Sequence, residues 1–332
     1  MYSENKIKQM LAHVQSERDF NTTALAVFYF QYKHNSIYRQ WVDFLKRKPA
    51  DIKSYTDIPF LPISLFKSHK IKSFQGDGEI VFSSSGTTGM FPSKHYVKEL
   101  ALYREAYIRS FEYFYGPISE FTVLALLPSY LEREGSSLIL MAEDFIARSN
   151  YSESGFYLYN YQELYQQLIS LRQKGRKVLL LGVSFALLEF AELFKVSFPD
   201  LIVMETGGMK GKRKELLRSE LHSILKKSFG VEYIHSEYGM TELMSQAYSK
   251  GEGLFNTPPW QRVLIRDTND PLSLLQGQKS GGINCIDLYN LYSCAFIATQ
   301  DLGRRNKNGS FEILGRFDSA EVRGCNLLVQ MD

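Results

Sequence analysis

A chain of 332 residues is long enough for one large core or for two lobes sharing a cleft. An apolar fraction of 44% with 23% charged residues is that of a folded globular protein, which excludes disordered, collagenous and disulfide-framework chains. The formal charge of +3 is small for this length and spread out, so composition offers no basic face for nucleic acid.

The first segment, Met1 to Arg18, is polar and amphipathic and lacks the apolar stretch of a signal peptide, so a cytoplasmic location is expected. Helical spacing continues to about residue 48, through Ile7, Met10, Leu11 and Val14, then Phe28, Phe30, Ile37, Trp41 and Phe44. Pro59 and Pro62 break that pattern, and Phe60 to Phe66 reads as an extended or turn passage. A strand is expected over Glu79 to Phe82, then a loop of Ser, Gly and Thr, then a helix over Leu100 to Phe114. Further strands are expected at Phe121 to Leu127, Val178 to Leu181, Leu201 to Glu205 and Val231 to His235. Helical patterns lie between them, at Gln162 to Gln173, Phe185 to Lys195 and Lys212 to Phe229. Such alternation predicts an α/β fold with a largely parallel sheet.

The character changes near Asn256. Arg262 to Arg266, Gly281 to Leu288 and Ala295 to Ala298 read as short strands, and Gly309 to Gly315 as a hairpin-like end. The expected organisation is a helical entry segment with an α/β body over residues 1–255 and a β-rich subdomain over 256–332. The longest apolar run, Val178 to Val183, is far too short to cross a bilayer.

Cys285, Cys294 and Cys325 have neither zinc-site nor redox spacing, and an odd, low count fits a reducing compartment. The first two sit in apolar strand patterns and are expected to be structural. The basic run Lys210 to Lys214 reads as a solvated helix start, with attraction of a polyanion as the alternative. Of the histidines, His235 is expected to close a strand, while His69 and His95 flank the Ser/Gly/Thr loop. No His/Cys/Asp cluster has metal-site spacing.

The most informative stretch is Val81-Phe82-Ser83-Ser84-Ser85-Gly86-Thr87-Thr88-Gly89-Met90-Phe91-Pro92-Ser93-Lys94. Gly86 and Gly89 free the backbone, so that successive N–H groups can converge on an anion. Ser84, Ser85, Thr87 and Thr88 add hydroxyl donors, and Lys94 adds a point charge suited to polyphosphate. The Gly-Lys-Ser/Thr ending of a Walker loop and the Rossmann fingerprint are both missing.

This run, Ser84 to Gly89 with Pro92 and Lys94, resembles the phosphate loop of adenylate-forming enzymes, the acyl-CoA synthetase and luciferase superfamily. The superfamily places its lysine directly after the proline; here Ser93 intervenes. Glu237-Tyr238-Gly239-Met240-Thr241-Glu242 resembles the motif lining adenine and the α-phosphate. The resemblance implies that Tyr238 stacks on adenine beside Gly239, that Thr241 contacts phosphate, and that Glu242 holds a Mg²⁺ shared with ATP. Asp301-Leu302-Gly303 and Gly315-Arg316-Phe317-Asp318 resemble the ribose-binding pair, with Asp301 accepting from ribose and Arg316 donating to ribose or phosphate. Gly207-Gly208-Met209 fits the loop where the family's backbone approaches the nucleotide.

Most of the superfamily continues past the Gly-Arg-x-Asp hinge into a small domain carrying a lysine. This sequence reaches Asp332 soon after Asp318, and a large-domain fold without that small domain is expected. The chain is similar to the acyl-protein synthetases of bacterial bioluminescence (LuxE type) over nearly its whole length. Ser319 to Leu327 resembles that branch's tail, with Cys325 as acyl acceptor, and Leu127 to Leu131 with Glu134 to Leu138 is also similar. The implied activity is ATP-dependent conversion of a carboxylic acid, of fatty type, to acyl-AMP, followed by acyl transfer to a protein thiol. The implied partner is an acyl reductase or a carrier protein. Coenzyme A as the acceptor, an aryl rather than a fatty acid, and a non-catalytic nucleotide- or acyl-binding subunit are the alternatives.

Overall fold

The computed structural model describes residues 2–84, 92–128, 135–207 and 216–317. Three helices lead in: α1 (Glu4–Ala12), α2 (Glu17–His34) and α3 (Ser36–Phe44). The start of α2 is fixed reciprocally, since the Ser16 hydroxyl accepts from the Asp19 N–H while the Asp19 carboxylate accepts from the Ser16 N–H. The proline-broken passage then supplies a two-residue strand, β1 (Leu61–Pro62), and a single helical turn, α4 (Leu65–Ser68).

A separate antiparallel hairpin follows, β2 (Ile80–Ser83) with β3 (Lys94–Val97), its two arms bracketing the Ser/Gly/Thr loop. Next come α5 (Leu100–Tyr115), β4 (Thr122–Leu126), α6 (Ser137–Arg148), β5 (Gly155–Tyr157), α7 (Tyr161–Gln173), β6 (Val178–Val183), α8 (Ser184–Leu193), β7 (Ile202–Thr206), α9 (Arg218–Phe229) and β8 (His235–Tyr238). The remaining strands are β9 (Ala247–Ser249), β10 (Phe255–Asn256), β11 (Gln261–Arg266), β12 (Ser280–Asp287), β13 (Phe296–Arg305) and β14 (Phe311–Arg316).

One large sheet runs β11-β12-β13-β14-β10-β9-β8-β7-β6-β4-β5, with β1 joined to β13. From β5 to β8 the pairing is parallel, and from β8 to β11 it is antiparallel. Every residue of β4 and β6 is buried, as a parallel strand covered on both faces requires. Helices α5 to α9 supply those covers, and the main core runs from α1 to β13.

Two expectations shift. The strand expected at Val231 to His235 is instead β8, His235–Tyr238. Val231 and Ile234 are buried as a lead-in that packs without laddering, while the pairing to β7 begins at Met204↔His235. The short strand expected at Ala295 to Ala298 is a ten-residue strand, Phe296–Arg305, so Asp301 lies inside β13. Ladder pairing of Asp301 with Arg316 and of Gly303 with Ile313 carries the strand that far. Among the described residues, no helix is long and apolar enough to cross a membrane.

Candidate active site

The parallel strands β7 and β8 end side by side, and their carboxyl ends form the edge where ligands sit in open α/β sheets. At the end of β7, Gly207 has φ +65°, a left-handed turn that glycine adopts without strain, and its carbonyl accepts from the Ser184 hydroxyl at 3.0 Å. Beyond β8, a Cβ on Gly239 would lie 2.3 Å from Glu237 Oε1, so a side chain here would have to displace the Glu237 carboxylate.

Four of the sequence-derived residues meet here. The Tyr238 hydroxyl donates to Asp301 Oδ2 at 2.7 Å, and Arg316 Nε lies 3.3 Å from Asp301 Oδ1. Asp301 is thus held from both sides, by β8 and by its ladder partner on β14. The Tyr238 ring is 8% exposed and meets Phe255 and Phe311 edge-on, at centroid distances of 6.0 and 5.8 Å. Little of that ring is left for a base to cover; its hydroxyl is the polar end turned to the site. The fourth residue, Glu242, is 6% exposed, and burial raises its carboxyl above the ordinary range. The Ser93 hydroxyl, Glu242's own backbone N–H and the charges of Arg316 and Lys67 act against that rise.

The base of the phosphate-type loop closes on itself. Ser84 N–H donates to the Ser93 carbonyl at 3.1 Å, and the Ser93 N–H donates to the Ser84 hydroxyl at 2.9 Å. Ser93 is buried, and its own hydroxyl, turned to Glu242, has no partner of regular hydrogen-bond geometry. Strand alternation then places Lys94 on the opposite, exposed face of β3. The inserted Ser93 thus occupies the inward position. His95, the next inward residue, is buried with Nδ1 2.8 Å from the Thr241 carbonyl and Nε2 3.1 Å from Asn290 Oδ1. The protein occupies both ring nitrogens, so His95 offers neither to a phosphate. Burial lowers its pKa to about 4, against the opposing pull of those two acceptors; the neutral ring has one N–H, and the shorter contact assigns it to Nδ1, donating to the Thr241 carbonyl. His235 opens β8 rather than closing a strand, and burial followed by the Lys250 charge lowers it to about 4.

Ser85, Gly86, Thr87, Thr88, Gly89, Gly208 and Cys325 lie outside the described residues. Both described cysteines are free and buried; burial pushes the Cys285 thiol far up and that of Cys294 to about 12. Two residues beside Asp301 escaped the sequence reading. Arg266 is buried, and its guanidinium donates to the carbonyls of Ile283 and Thr299 and to Asn284 Oδ1. Thr299 accepts the Asp301 N–H at 3.1 Å. An isolated Arg at a strand end carries no motif, so no signal marked it.

A family model described as acyl-protein synthetase, LuxE, matches residues 9–331. The chain belongs to this family. No curated protein sequence matches this acyl-protein synthetase family member. Among solved structures, ATP-bound MatB from Rhodopseudomonas palustris aligns with a TM-score of 0.54 and 16% identity, over 73% of this chain and 49% of that one. 2-Hydroxyisobutyryl-CoA ligase in the postadenylation state, in complex with 2-HIB-AMP, aligns with a TM-score of 0.65 and 13% identity, over 91% and 68%. The same ligase with 2-HIB-AMP and CoA gives 0.60 and 14%, over 96% and 70%. The chain therefore spans about half the length of MatB and about two thirds of that of the ligase. At these identities the likeness establishes the fold, that of adenylate-forming ligases.

Proposed function

We propose that the chain joins a carboxylic acid to AMP at the expense of ATP and then passes the acyl group to a protein thiol. The observation that carries the reading is the meeting of Tyr238, Asp301 and Arg316 through one carboxylate, from segments far apart in sequence. Family membership and the fold of adenylate-bound ligases support it. Asp301 would accept from the ribose hydroxyls, with Tyr238 and Arg316 fixing its orientation. Arg316, exposed on its outer side, has donors left over for ribose or phosphate.

A carboxylate oxygen of the substrate attacks the α-phosphorus, the bond to the bridging oxygen breaks, and pyrophosphate departs with the electron pair. Backbone and hydroxyl donors of the loop from Ser84 to Gly89, with Lys94 at its outer edge, would offset the charge that develops. Thr241, at the turn after β8, would contact the α-phosphate. A thiolate then attacks the acyl carbon, and AMP leaves.

The residues present fit a Mg²⁺ carried by ATP. Glu242 offers one buried carboxylate, and the unpartnered Ser93 hydroxyl beside it offers a second oxygen. No group of three His, Cys, Asp or Glu suited to a metal exists among the described residues. One protein carboxylate plus substrate phosphates is the coordination Mg²⁺ commonly takes. When bound, the ion supplies charge neutralisation on the phosphates.

The thiol proposed is Cys325, beside Arg323 and Gly324. Both described cysteines are buried with raised pKa values and are unsuited to the role. The acid proposed is a fatty acid, the downstream partner an acyl reductase or carrier protein, and the location the cytoplasm. Carboxylate ¹⁸O tests the reading: acid activation carries one ¹⁸O into AMP, whereas label appearing in inorganic phosphate beside ADP contradicts it.

A further inference from the structure

The segment Thr241 to Ser245 carries the site's buried carboxylate, yet it has no helical or strand ladder of its own. Backbone carbonyls and N–H groups buried there must find partners, at a cost of about 1–3 kcal/mol for each one left without. They find them in a polar bracket formed by the last residue of β12, the turn after it and His95. Asp287 Oδ2 accepts from the N–H groups of Met244 and Ser245, at 2.8 and 2.7 Å, and Oδ1 accepts from the Ser245 hydroxyl at 2.8 Å. Asn290 Nδ2 donates to the Glu242 carbonyl at 2.7 Å and to the Cys294 carbonyl at 2.8 Å. His95 Nδ1 meets the Thr241 carbonyl at 2.8 Å.

All three bracket residues are fully or nearly fully buried. The bracket is anchored in turn by Gln31 of α2, whose Nε2 donates to the carbonyls of Asn290 and Leu291 and whose Oε1 accepts from the Ala295 N–H. His95 belongs to β3, the strand that descends from the phosphate-type loop, two residues beyond Ser93. One imidazole therefore links the arm of that loop to the backbone carrying Glu242.

We infer that His95, supported by Asn290, is a positioning residue for acid activation, holding the Thr241–Glu242 backbone in fixed register with the arm of the phosphate loop. Neither residue touches the reacting atoms. Their effect is exerted through the placement of Glu242 and Ser93, and a displacement of about 1 Å in such a placement can cost on the order of a hundredfold in rate. The inference rests on the nucleotide reading of the site given above.

Two conservative variants separate the link from general packing. His95→Asn keeps an amide donor near the position of Nδ1, facing Thr241. His95→Gln reaches instead to the position of Nε2, facing Asn290, and loses the Thr241 donor. Carboxylate-dependent ATP–pyrophosphate exchange is measured for both, beside thermal midpoints and amide hydrogen exchange of a peptide covering residues 239–246. The expected result is a kcat lower by roughly tenfold to a hundredfold in His95→Gln with the KM for acid unchanged, and a near-normal rate in His95→Asn. Amide exchange in 239–246 speeds up in the Gln variant alone. Equal rates and equal amide protection in both variants overturn the inference, as do losses that simply track thermal midpoints. A wild-type chain without exchange activity refutes the functional reading instead, and the amide arm still decides whether His95 fixes the segment.

Discussion

Tyr238 and Asp301, 63 positions apart, share a 2.7 Å hydrogen bond that ties the strand before the glycine turn to the strand facing Arg316. A buried carboxylate that loses a neutral donor forfeits roughly 1–3 kcal/mol, which is about fivefold to a hundredfold in an equilibrium. Tyr238→Phe should raise the apparent Kd for ATP toward the lower end of that range. Asp301→Ala removes the proposed ribose acceptor and should weaken ATP by roughly a hundredfold, leaving Arg316 and Tyr238 without their shared partner. Equilibrium binding of ATP to both variants checks this; equal affinities across the wild type and the two variants would remove Asp301 from the site.

Ser93 and Lys94 are neighbours on opposite faces of β3, so they should differ in kind. Ser93→Ala removes the oxygen beside Glu242 and should raise the Mg²⁺ concentration needed for half-maximal exchange by several-fold. Lys94→Ala, on the exposed face, should leave the Mg²⁺ requirement unchanged and raise the KM for ATP by no more than roughly tenfold, as loss of one screened charge allows. Titration of Mg²⁺ at saturating ATP reads the difference.

Folding stability should depend on pH through Glu237, whose carboxyl is raised to about 7, first by burial and then by the neighbouring Glu205 carboxylate. The folded chain holds that proton more tightly than the unfolded chain. Its contribution is therefore complete below pH 4.5 and is lost as pH rises through about 7. Glu237→Gln keeps the shape and removes the titration. Because the Glu237 side chain keeps part of its contact with solvent, the gain should be about 1–2 kcal/mol at pH 8 and nil near pH 4, read from urea unfolding. His95 and His235 act on the acid side: each is held near 4, so the folded state loses stability as pH falls from 6.5 toward 4.

Cys325 should be separable from activation. Cys325→Ser is expected to keep carboxylate-dependent exchange at the wild-type rate while a labelled, hydroxylamine-sensitive acyl group on the chain disappears. A thioester that persists in this variant would place the acceptor elsewhere.

The sequence carried the site's chemistry further than its geometry. Asp301, Arg316 and Gly239 were legible through the motifs they resemble, and the structure brings Asp301 and Arg316 together. The all-buried β6 announced itself as an unbroken apolar run. The apolar lead-in through Val231 and Ile234 drew the expected strand forward, since burial alone cannot distinguish a packed approach from a laddered strand. β3 went unseen because it is four residues long and half polar, and with it the inward direction of Ser93. Asp287 at the end of β12 and Asn290 in the turn after it carry no mark of their role until folding buries them against Thr241 to Ser245; such pairings span about 200 positions or fewer and leave no local pattern.

The most direct test of the account is carboxylate-dependent ATP–pyrophosphate exchange, measured over a panel of fatty and aryl acids for the wild type and for Glu242→Gln. The account predicts exchange with at least one acid class in the wild type, and a rate lower by roughly a hundredfold or more in Glu242→Gln at unchanged folding stability. Tight ATP binding with no exchange for any acid, or full exchange in Glu242→Gln, would contradict it.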